Sequence, residues 1–183
     1  INPKNLRNPY LGDEYTNQKI KKILLKNKIK FIKPKKLYAD VAKSISKGKV
    51  VGWFQGKDEF GQRALGNRSI LADPRNPRMR DYVNKIIKNR ESFRPFAPAI
   101  LYEYKNLFFE NVENIDSNYM EKVAYFKKNL INKLPSVVHV DGTGRLQTVN
   151  KEINKKFYLL INEFYKLTGF PILLNTSFNV DGE

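Results

Sequence analysis

Arginine is concentrated in one part of this 183-residue chain, although lysine supplies most of its positive charge elsewhere. Seven of the nine arginines fall in this one window, namely Arg63, Arg68, Arg75, Arg78, Arg80, Arg90 and Arg94. A guanidinium group can form two parallel hydrogen bonds to a phosphate or carboxylate, which an ammonium group cannot do. The clustering therefore indicates an anion-binding site, with a solvated face or structural ion pairs as the alternative.

The first candidate segment, EFGQRALGNRSILADPR, occupies residues 59–75. Gly61 and Gly66 flank Arg63, and Arg68 follows shortly after. Glycines allow backbone amides to approach an anion closely, and the two arginines can add charge-assisted hydrogen bonds. Because neither a Walker pattern nor GxGxxG is present, a purely structural loop remains an equal alternative.

The second candidate segment covers residues 88–96. Lys88 stands near a predicted helix end, a favourable place for any cation. Arg94 lies between an aromatic residue and a proline, in a rigid apolar setting where a charge is usually paired or faces a ligand. We expect Arg94 to contact a ligand and Arg90 to form an ion pair with Glu91 or another acid.

Two further segments carry short polar side chains. His139, Asp141, Arg145 and Gln147 lie on a predicted hairpin, and Arg145 is an anion-binding candidate. The last group follows a buried apolar strand and comprises Asn175, Thr176, Ser177 and Asn179. Ligands of open α/β sheets bind beyond the carboxyl ends of strands, although Asn and Ser also simply form turns.

The composition excludes several kinds of chemistry. The chain has no cysteine, which rules out disulfides, cysteine-based zinc sites and a cysteine nucleophile. With His139 as the single histidine, a bound metal would need oxygen ligands or a bound phosphate. We find neither a Ser-His-Asp arrangement nor paired carboxylates. The pattern favours an anion pocket of arginine, asparagine and serine over a hydrolase with an acid-base pair.

These side chains must be positioned by alternating helices and strands. The hydrophobic spacing predicts helices over about 17–29, 37–46, 78–89, 119–126 and 151–168. Strands are predicted at 50–56, 69–72, 99–102 and 171–179, with a strand-turn-strand over 135–149. The alternation predicts an α/β (α+β) domain with a mixed sheet and flanking helices.

Residues 19–49 contain twelve lysines and a single acid, Asp40, within a chain of net charge +16. This charge favours an anionic partner and keeps a basic RNA-binding module as an alternative. Against that alternative, the lysines lack interleaved aromatic residues apart from Phe31 and Tyr38. No apolar run approaches the roughly 20 residues that span a bilayer, and no signal peptide is visible, so we expect a cytoplasmic protein without membrane contact.

Several of these segments together resemble the C-terminal domain of the NodU/CmcH/tobramycin-type carbamoyltransferases. The resemblance rests on VVGWFQG, EFGQRALGNRSILADPR, SFRPFAPAIL, VVHVDGTGRLQTV and FPILLNTSFNVDGE, in the order of the family. It implies a YrdC/Sua5-like twisted mixed sheet over residues 49–183, preceded by a lysine-rich segment with helices at 1–48. Because the family domain continues further, we expect the chain to be incomplete at its C-terminus.

The resemblance also implies a reaction. This domain would form carbamoyl-adenylate from carbamoyl phosphate and ATP, with Mg²⁺ on the phosphates, for transfer to a hydroxyl acceptor. Transfer would occur in a separate N-terminal Kae1-like domain that carries Fe or Zn. The remaining expectations are small anionic substrates, weak nucleic-acid binding and a homodimer. A threonylcarbamoyl-AMP synthase is the remaining alternative, although the motifs resemble that family less.

The family pattern assigns catalytic roles to four cations, Arg63, Lys88, Arg94 and Arg145. It assigns substrate and nucleotide binding to Arg68, Asn175, Thr176, Ser177 and Asn179. The chain departs from the family at Gln62, where proline is usual. Since Gly61 and Arg63 are retained beside it, we expect little chemical effect from this change.

Overall fold

Six strands form one mixed sheet in the computed structural model, which describes residues 8–179. The strands are β1 (Val51–Phe54), β2 (Arg68–Ala72), β3 (Ala97–Leu101), β4 (Lys122–Tyr125), β5 (Thr143–Val149) and β6 (Ile172–Ser177). Their order across the sheet is β1-β2-β6-β3-β5-β4. Within the described chain, neighbouring strands are antiparallel except β3 and β5, which run parallel. The predicted α/β class is confirmed, while the YrdC-like comparison stays a prediction.

Five α-helices flank the strands in the described residues. They are α1 (Asn17–Lys26), α2 (Leu37–Ser46), α3 (Met79–Tyr82), α4 (Lys105–Phe108) and α5 (Lys155–Thr168). The predicted helices at 17–29, 37–46, 78–89 and 151–168 are confirmed. Thr16 caps α1 by accepting from the Lys19 amide, and Gly169 ends α5 in a left-handed conformation. After α3, the chain continues in a π-helical turn, Val83–Ile87, that the sequence did not predict.

The two faces of the sheet bury separate groups of side chains. On one face, α2 and α5 cover a core that includes Trp53, Phe157 and Phe164. On the other face, α3 and the irregular chain from about 105 to 138 cover a core that includes Phe96 and Phe126. Successive strand residues point to opposite faces, so the same strands contribute side chains to both cores.

Two predictions about the chain between 119 and 149 are wrong. The helix expected near 119–126 is replaced by strand β4, in which Ala124 is buried between exposed Val123 and Tyr125, a period-two pattern. Residues 135–142 form turns, so β5 pairs with β4 and not with a strand at 135–140. The predicted Asp141-Gly142 turn itself is present, with Gly142 at φ +82°.

The strand predicted at 50–56 is present as β1, but it is not buried as expected. It lies at one edge of the sheet, and Trp53 is the buried residue of its four. Before it, α2 packs on α5 and contributes the fully buried Ala42 and Ile45. The expected division of the chain at residue 48 stays a prediction.

Candidate functional site

A cavity of about 220 Å³ opens where the carboxyl end of β6 lies beside the amino ends of β3 and β5. Residues 62–64, 90, 94–97, 120, 145 and 175–177 line it. They come from distant parts of the sequence and include the four arginines Arg63, Arg90, Arg94 and Arg145. The structure therefore collects guanidinium groups from three chain regions around one hollow.

The loop that carries Arg63 is held by a single carboxylate. One oxygen of Glu59, Oε1, accepts from the backbone N–H groups of Leu65, Asn67 and Arg68 at 2.8, 2.7 and 3.1 Å. The three hydrogen bonds join residues 65–68 to Glu59 and so close the segment into a compact loop. Each bond is charge-assisted, and such bonds are among the stronger ones in proteins.

The same loop is also pressed against α5 at Gly66. This glycine has φ +102°, and a Cβ built on it would lie 2.1 Å from Cδ1 of Phe157. The sequence needs glycine here both for the backbone conformation and for the close approach.

Side chains of β5, β6 and the segment before α1 hold the loop through its backbone carbonyl groups. The carbonyl oxygen of Leu65 accepts from Gln147 Nε2 and from the Tyr10 hydroxyl, each at 3.0 Å. The carbonyl oxygen of Ala64 accepts from Asn175 Nδ2 at 3.0 Å. These bonds join the loop to β5 and β6, so the wall of the cavity beside Arg63 is built on the sheet.

Arg145, on β5, is a cavity arginine that has a buried donor and no ion pair within residues 8–179. Its Nε is buried and finds no acceptor among residues 8–179. Burial lowers the pKa of Arg145, and the neighbouring charges of Arg63 and Arg90 lower it further. Because proteins rarely bury a cation without a counter-charge, an anionic ligand is the natural partner for this group.

Asn175, on β6, has a buried acceptor without a donor among residues 8–179. Its Nδ2 donates to the Ala64 carbonyl and to Gln147 Oε1, at 3.0 and 2.8 Å. Its Oδ1 is buried and accepts from no group in the described part of the chain. The next residue, Thr176, also lines the cavity. The site thus combines an unsatisfied donor with an unsatisfied acceptor.

Arg90 and Arg94 both line the cavity, whereas a ligand-facing position was expected for Arg94 alone. Nε of Arg94 lies 3.0 Å from Glu91 Oε2, so the acid expected to pair with Arg90 pairs with Arg94. Arg90 donates from Nε to Asn84 Oδ1 at 2.8 Å, and its guanidinium lies 5.0 Å from the centre of the Phe96 ring. Sequence reasoning missed Arg90 as a cavity residue, although the arginine window already contained it.

Lys88 lies behind the cavity wall. It is 3% exposed, and its Nζ donates to the carbonyl and hydroxyl oxygens of Ser177 at 2.9 and 3.1 Å. It also donates to the carbonyl oxygen and Oδ1 of Asn179 at 2.6 and 2.7 Å. The Ser177 hydroxyl in turn donates to Asn179 Oδ1. Lys88 therefore reaches the cavity through Ser177, which lines it.

The structure does not bring Arg68 to the cavity. Its guanidinium donates to the carbonyl oxygens of Gln55 and Gly56 at 2.9 and 3.0 Å, pairs with Asp58 and stacks 3.5 Å from the centre of the Phe54 ring. Arg68 thereby joins the 55–58 turn to β2. It serves the fold at this position, and its predicted ligand contact has no support from the geometry.

His139 also stands apart from the residues that line the cavity. Its Nδ1 lies 3.1 Å from Thr143 Oγ1, and the Thr143 hydroxyl donates to Asp141 Oδ1 at 2.7 Å. Since Thr143 uses its proton on Asp141, its oxygen accepts from His139 Nδ1–H, which leaves Nε2 as the unprotonated nitrogen. These contacts shape the turn before β5, and Arg145 follows two residues later.

The described residues contain no cluster of three or more histidine, aspartate or glutamate side chains suited to a metal ion. The predicted Mg²⁺ on the phosphates stays a prediction. Between residues 8 and 179, no helix has both the length and the apolar character needed to cross a membrane.

Comparisons with known proteins agree in one family. A family model described as "Carbamoyltransferase C-terminus" matches residues 42–183. The nodulation protein NolNO of Sinorhizobium fredii is 52% identical over 142 residues, which are 75% of this chain and 20% of that protein. NolO of Bradyrhizobium diazoefficiens is 48% identical over 149 residues, covering 79% and 27%. An uncharacterized protein of Methanocaldococcus jannaschii is 41% identical over 186 residues, covering 98% and 30%. The chain spans less than a third of each of these three relatives.

Proposed function

Because the chain belongs to the carbamoyltransferase C-terminus family, we propose that its arginine-lined cavity binds carbamoyl phosphate and that this domain converts it with ATP into carbamoyl-adenylate. The observation that carries the proposal is Arg145, whose buried Nε has no acceptor within the described chain and whose neighbours include the cations Arg63 and Arg90. A phosphate dianion supplies the missing acceptor and the missing negative charge together.

The volume of the cavity favours the smaller of the two substrates. Pockets for drug-sized ligands occupy roughly 300–1,000 Å³, whereas this cavity has about 220 Å³. We therefore assign the cavity to carbamoyl phosphate and place the triphosphate of ATP at its open rim. There, Arg94 is half-exposed and Arg63 is exposed, so both can reach outward.

The proposed chemistry has two steps. Water cleaves the bond between the carbamoyl oxygen and phosphorus, which releases carbamate and inorganic phosphate. A carbamate oxygen then attacks the α-phosphorus of ATP, where the new P–O bond replaces the bond to pyrophosphate, the leaving group. Arg63, Arg90 and Arg145 neutralise charge on the transferring phosphoryl groups, a role that needs position more than a protein base. Mg²⁺ carried on ATP would further neutralise the triphosphate.

Transfer of the carbamoyl group to a hydroxyl acceptor belongs, in this proposal, to a separate N-terminal domain. The chain covers only 20–30% of the three relatives compared above, so those proteins have room for such a domain. The assignment of Fe or Zn to that domain, the cytoplasmic location and the homodimer are part of the same proposal.

Calorimetric titration of the chain with carbamoyl phosphate tests the binding step. We expect saturable binding that Arg145→Ala reduces at least tenfold, because removal of a charge-assisted hydrogen bond to a buried anion costs about 1.5–3 kcal/mol. Arg78→Ala is the matched control, since Arg78 is exposed and lies outside the cavity. Equal losses in both variants would show that only net charge matters.

The adenylation step has its own assay. Carbamoyl-adenylate formation is reversible with pyrophosphate, so labelled pyrophosphate should exchange into ATP only when carbamoyl phosphate is present. Exchange that does not depend on carbamoyl phosphate would contradict the proposed intermediate.

The exposed lysines of α1 favour a second, weaker activity, the binding of RNA. None of the residues of α1 is buried, and the helix itself contains no acidic residue. A gel shift titrated with salt distinguishes this activity, because affinity that depends on phosphate contacts falls steeply as salt rises. Loss of all lysines in α1 should abolish the shift without affecting carbamoyl phosphate binding.

A further inference from the structure

The segment before α1, residues 8–13 and here named the strap, runs antiparallel to residues 58–60, which lead into the loop that carries Arg63. The backbone N–H of Gly12 donates to the Asp58 carbonyl oxygen at 3.1 Å, and the N–H of Asp58 donates to the Asp13 carbonyl oxygen at 3.1 Å. The strap is therefore hydrogen-bonded to the chain immediately before the loop.

Tyr10 is the side chain through which the strap reaches the loop itself. It is 8% exposed, and its hydroxyl donates to the Leu65 carbonyl oxygen at 3.0 Å and accepts from Asn154 Nδ2 at 2.9 Å. Burial raises the pKa of Tyr10, so the hydroxyl keeps its proton and remains a donor to the carbonyl.

Asn154 continues this contact to the other side of the loop. Its Oδ1 accepts from the Phe157 N–H as the N-cap of α5, which assigns its nitrogen to the side that faces Tyr10. The same nitrogen donates to Asn67 Oδ1 at 3.0 Å. The loop is thus held by Tyr10 at Leu65 and by Asn154 at Asn67.

The ring of Tyr10 also packs beside the cavity. It belongs to a small buried cluster with Leu65, Ala97 and Met120, of which Ala97 and Met120 line the cavity. Arg63 stands two residues before Leu65 and is exposed, so the direction of its guanidinium depends on the backbone of the loop. A change at the Leu65 carbonyl therefore acts on the cavity through Arg63.

We propose that Tyr10 is a positioning residue of the anion site, whose hydroxyl holds the Leu65 carbonyl so that the loop turns Arg63 toward the cavity. The strap is then part of the anion-binding unit, although it lies outside residues 42–183, the region that the family model matches. The inference rests on the proposed function in one respect, that the cavity binds a phosphoryl anion.

Tyr10→Phe tests this role in the 183-residue chain, because it keeps the ring and removes the hydroxyl. In calorimetric titration, we expect the dissociation constant for carbamoyl phosphate to rise about fivefold, the size of one net hydrogen bond. Tyr158→Phe is the matched control, since its hydroxyl donates to Glu103 at 2.5 Å and the residue does not line the cavity. Well below the unfolding midpoint, a variant that is only less stable remains folded and binds as tightly as the unaltered chain.

A double-mutant cycle tests whether Tyr10 acts through Arg63. Arg63→Ala should weaken binding by itself, and the addition of Tyr10→Phe should then weaken it no further, because the group that the hydroxyl positions is gone. A second loss of about fivefold in the Arg63→Ala background would overturn this part of the inference.

The outcomes separate this inference from the proposed function. If Tyr10→Phe lowers the free energy of unfolding but leaves the dissociation constant unchanged, Tyr10 serves the fold alone and the proposed function stands. Absence of carbamoyl phosphate binding by the unaltered chain refutes the proposed function. Should Tyr10→Phe fail to fold, Gly12→Ala displaces the strap instead, because a Cβ there would lie 2.5 Å from Cβ of Asp58. Unchanged affinity in that variant would equally overturn the role of the strap.

Discussion

Lys88 and Ser177 are joined by two hydrogen bonds, from Nζ of the lysine to the carbonyl and hydroxyl oxygens of the serine at 2.9 and 3.1 Å. The residues are 89 positions apart in the chain, and the contact ties the helical segment after β2 to the end of β6. Ser177 lines the cavity and Lys88 does not. The ammonium group therefore holds a wall of the site in place from behind.

Replacement of Lys88 should weaken the fold as well as the site. Lys88→Met keeps the length of the side chain but removes the ammonium group that donates to the oxygens of Ser177 and Asn179. The expected loss in free energy of unfolding is about 1–3 kcal/mol, measured by urea denaturation. Lys85→Met is the control, because Lys85 is exposed on the same helical segment and should change stability by less than about 0.5 kcal/mol. Equal effects of the two variants would contradict a structural role for Lys88.

Gly66 and Gly61 offer a matched pair in the loop that presents Arg63. Both have positive φ, +102° and +116°, so alanine is strained at either position by about 1–3 kcal/mol. A Cβ at Gly66 would also collide with Phe157 at 2.1 Å, whereas a Cβ at Gly61 would meet no atom within 4 Å. Gly66→Ala should therefore be the more destabilising by a further 1–3 kcal/mol or so.

Thermal unfolding of the two glycine variants measures this difference. If Gly61→Ala proves as damaging as Gly66→Ala, the close packing of the loop on α5 is not what limits the residue at position 66.

Much of the fold could be predicted because its periodic signals are strong. The apolar spacing of α2 and α5 gave their positions, and Gly169 marked the end of α5 as a left-handed cap. The strand predicted at 135–140 is absent for a physical reason. Val137 and Val138 are buried in turns by tertiary packing, and their β-branched side chains carry no information about whether a partner strand is available.

The charged residues of the candidate site could be predicted, but the hydrogen bonds that hold its loop could not. Arg63, Arg94 and Arg145 were singled out by residue type, and the structure places all three around one cavity. The roles of Gln147 and Glu59 could not be foreseen, because each depends on backbone groups of a loop that only the folded chain brings near. The ligand contact predicted for Arg68 rested on residue type alone, and a guanidinium suits carbonyl oxygens as well as phosphate.

The free energy of unfolding should decrease as the pH is lowered below neutrality, because of the single histidine. Burial lowers the pKa of His139; Asp141 opposes this, and the charges of Arg145 and Arg80 add to it. Below the unfolded pKa of about 6.5, the unfolded chain binds a proton that the folded chain does not, so the free energy of unfolding decreases as pH falls from 7.5 to 5.5. Urea denaturation at these two values, in a buffer without phosphate, measures the decrease.

His139→Asn is the control for this pH dependence. Its amide can still donate to Thr143 but does not titrate, so its stability should vary less over the same range. The pKa of Asp141 is lowered by hydrogen bonds from the Thr143 hydroxyl and backbone, so the stability it contributes is lost only below about pH 4. A variant with an unchanged pH dependence would assign the effect to other groups.

Two arginines with opposite surroundings distinguish a functional charge from a structural one. Nη2 of Arg75 lies 2.6 Å from Oδ2 of the buried Asp73, whereas Nε of Arg145 has no acceptor in residues 8–179. Arg75→Met leaves a buried carboxylate unpaired and should cost about 3 kcal/mol of stability. Arg145→Met removes a cation that lies near two others and should stabilise the ligand-free chain by about 1 kcal/mol.

The response to phosphate completes the comparison. Inorganic phosphate binds only the folded state, so it should raise the unfolding midpoint of the unaltered chain and of Arg75→Met. The same addition should leave the midpoint of Arg145→Met unchanged, because the unpaired Nε is the donor that the anion satisfies. If Arg145→Met is destabilised to the same extent as Arg75→Met, Arg145 is part of the framework, and the cavity loses the group that defines it as an anion site.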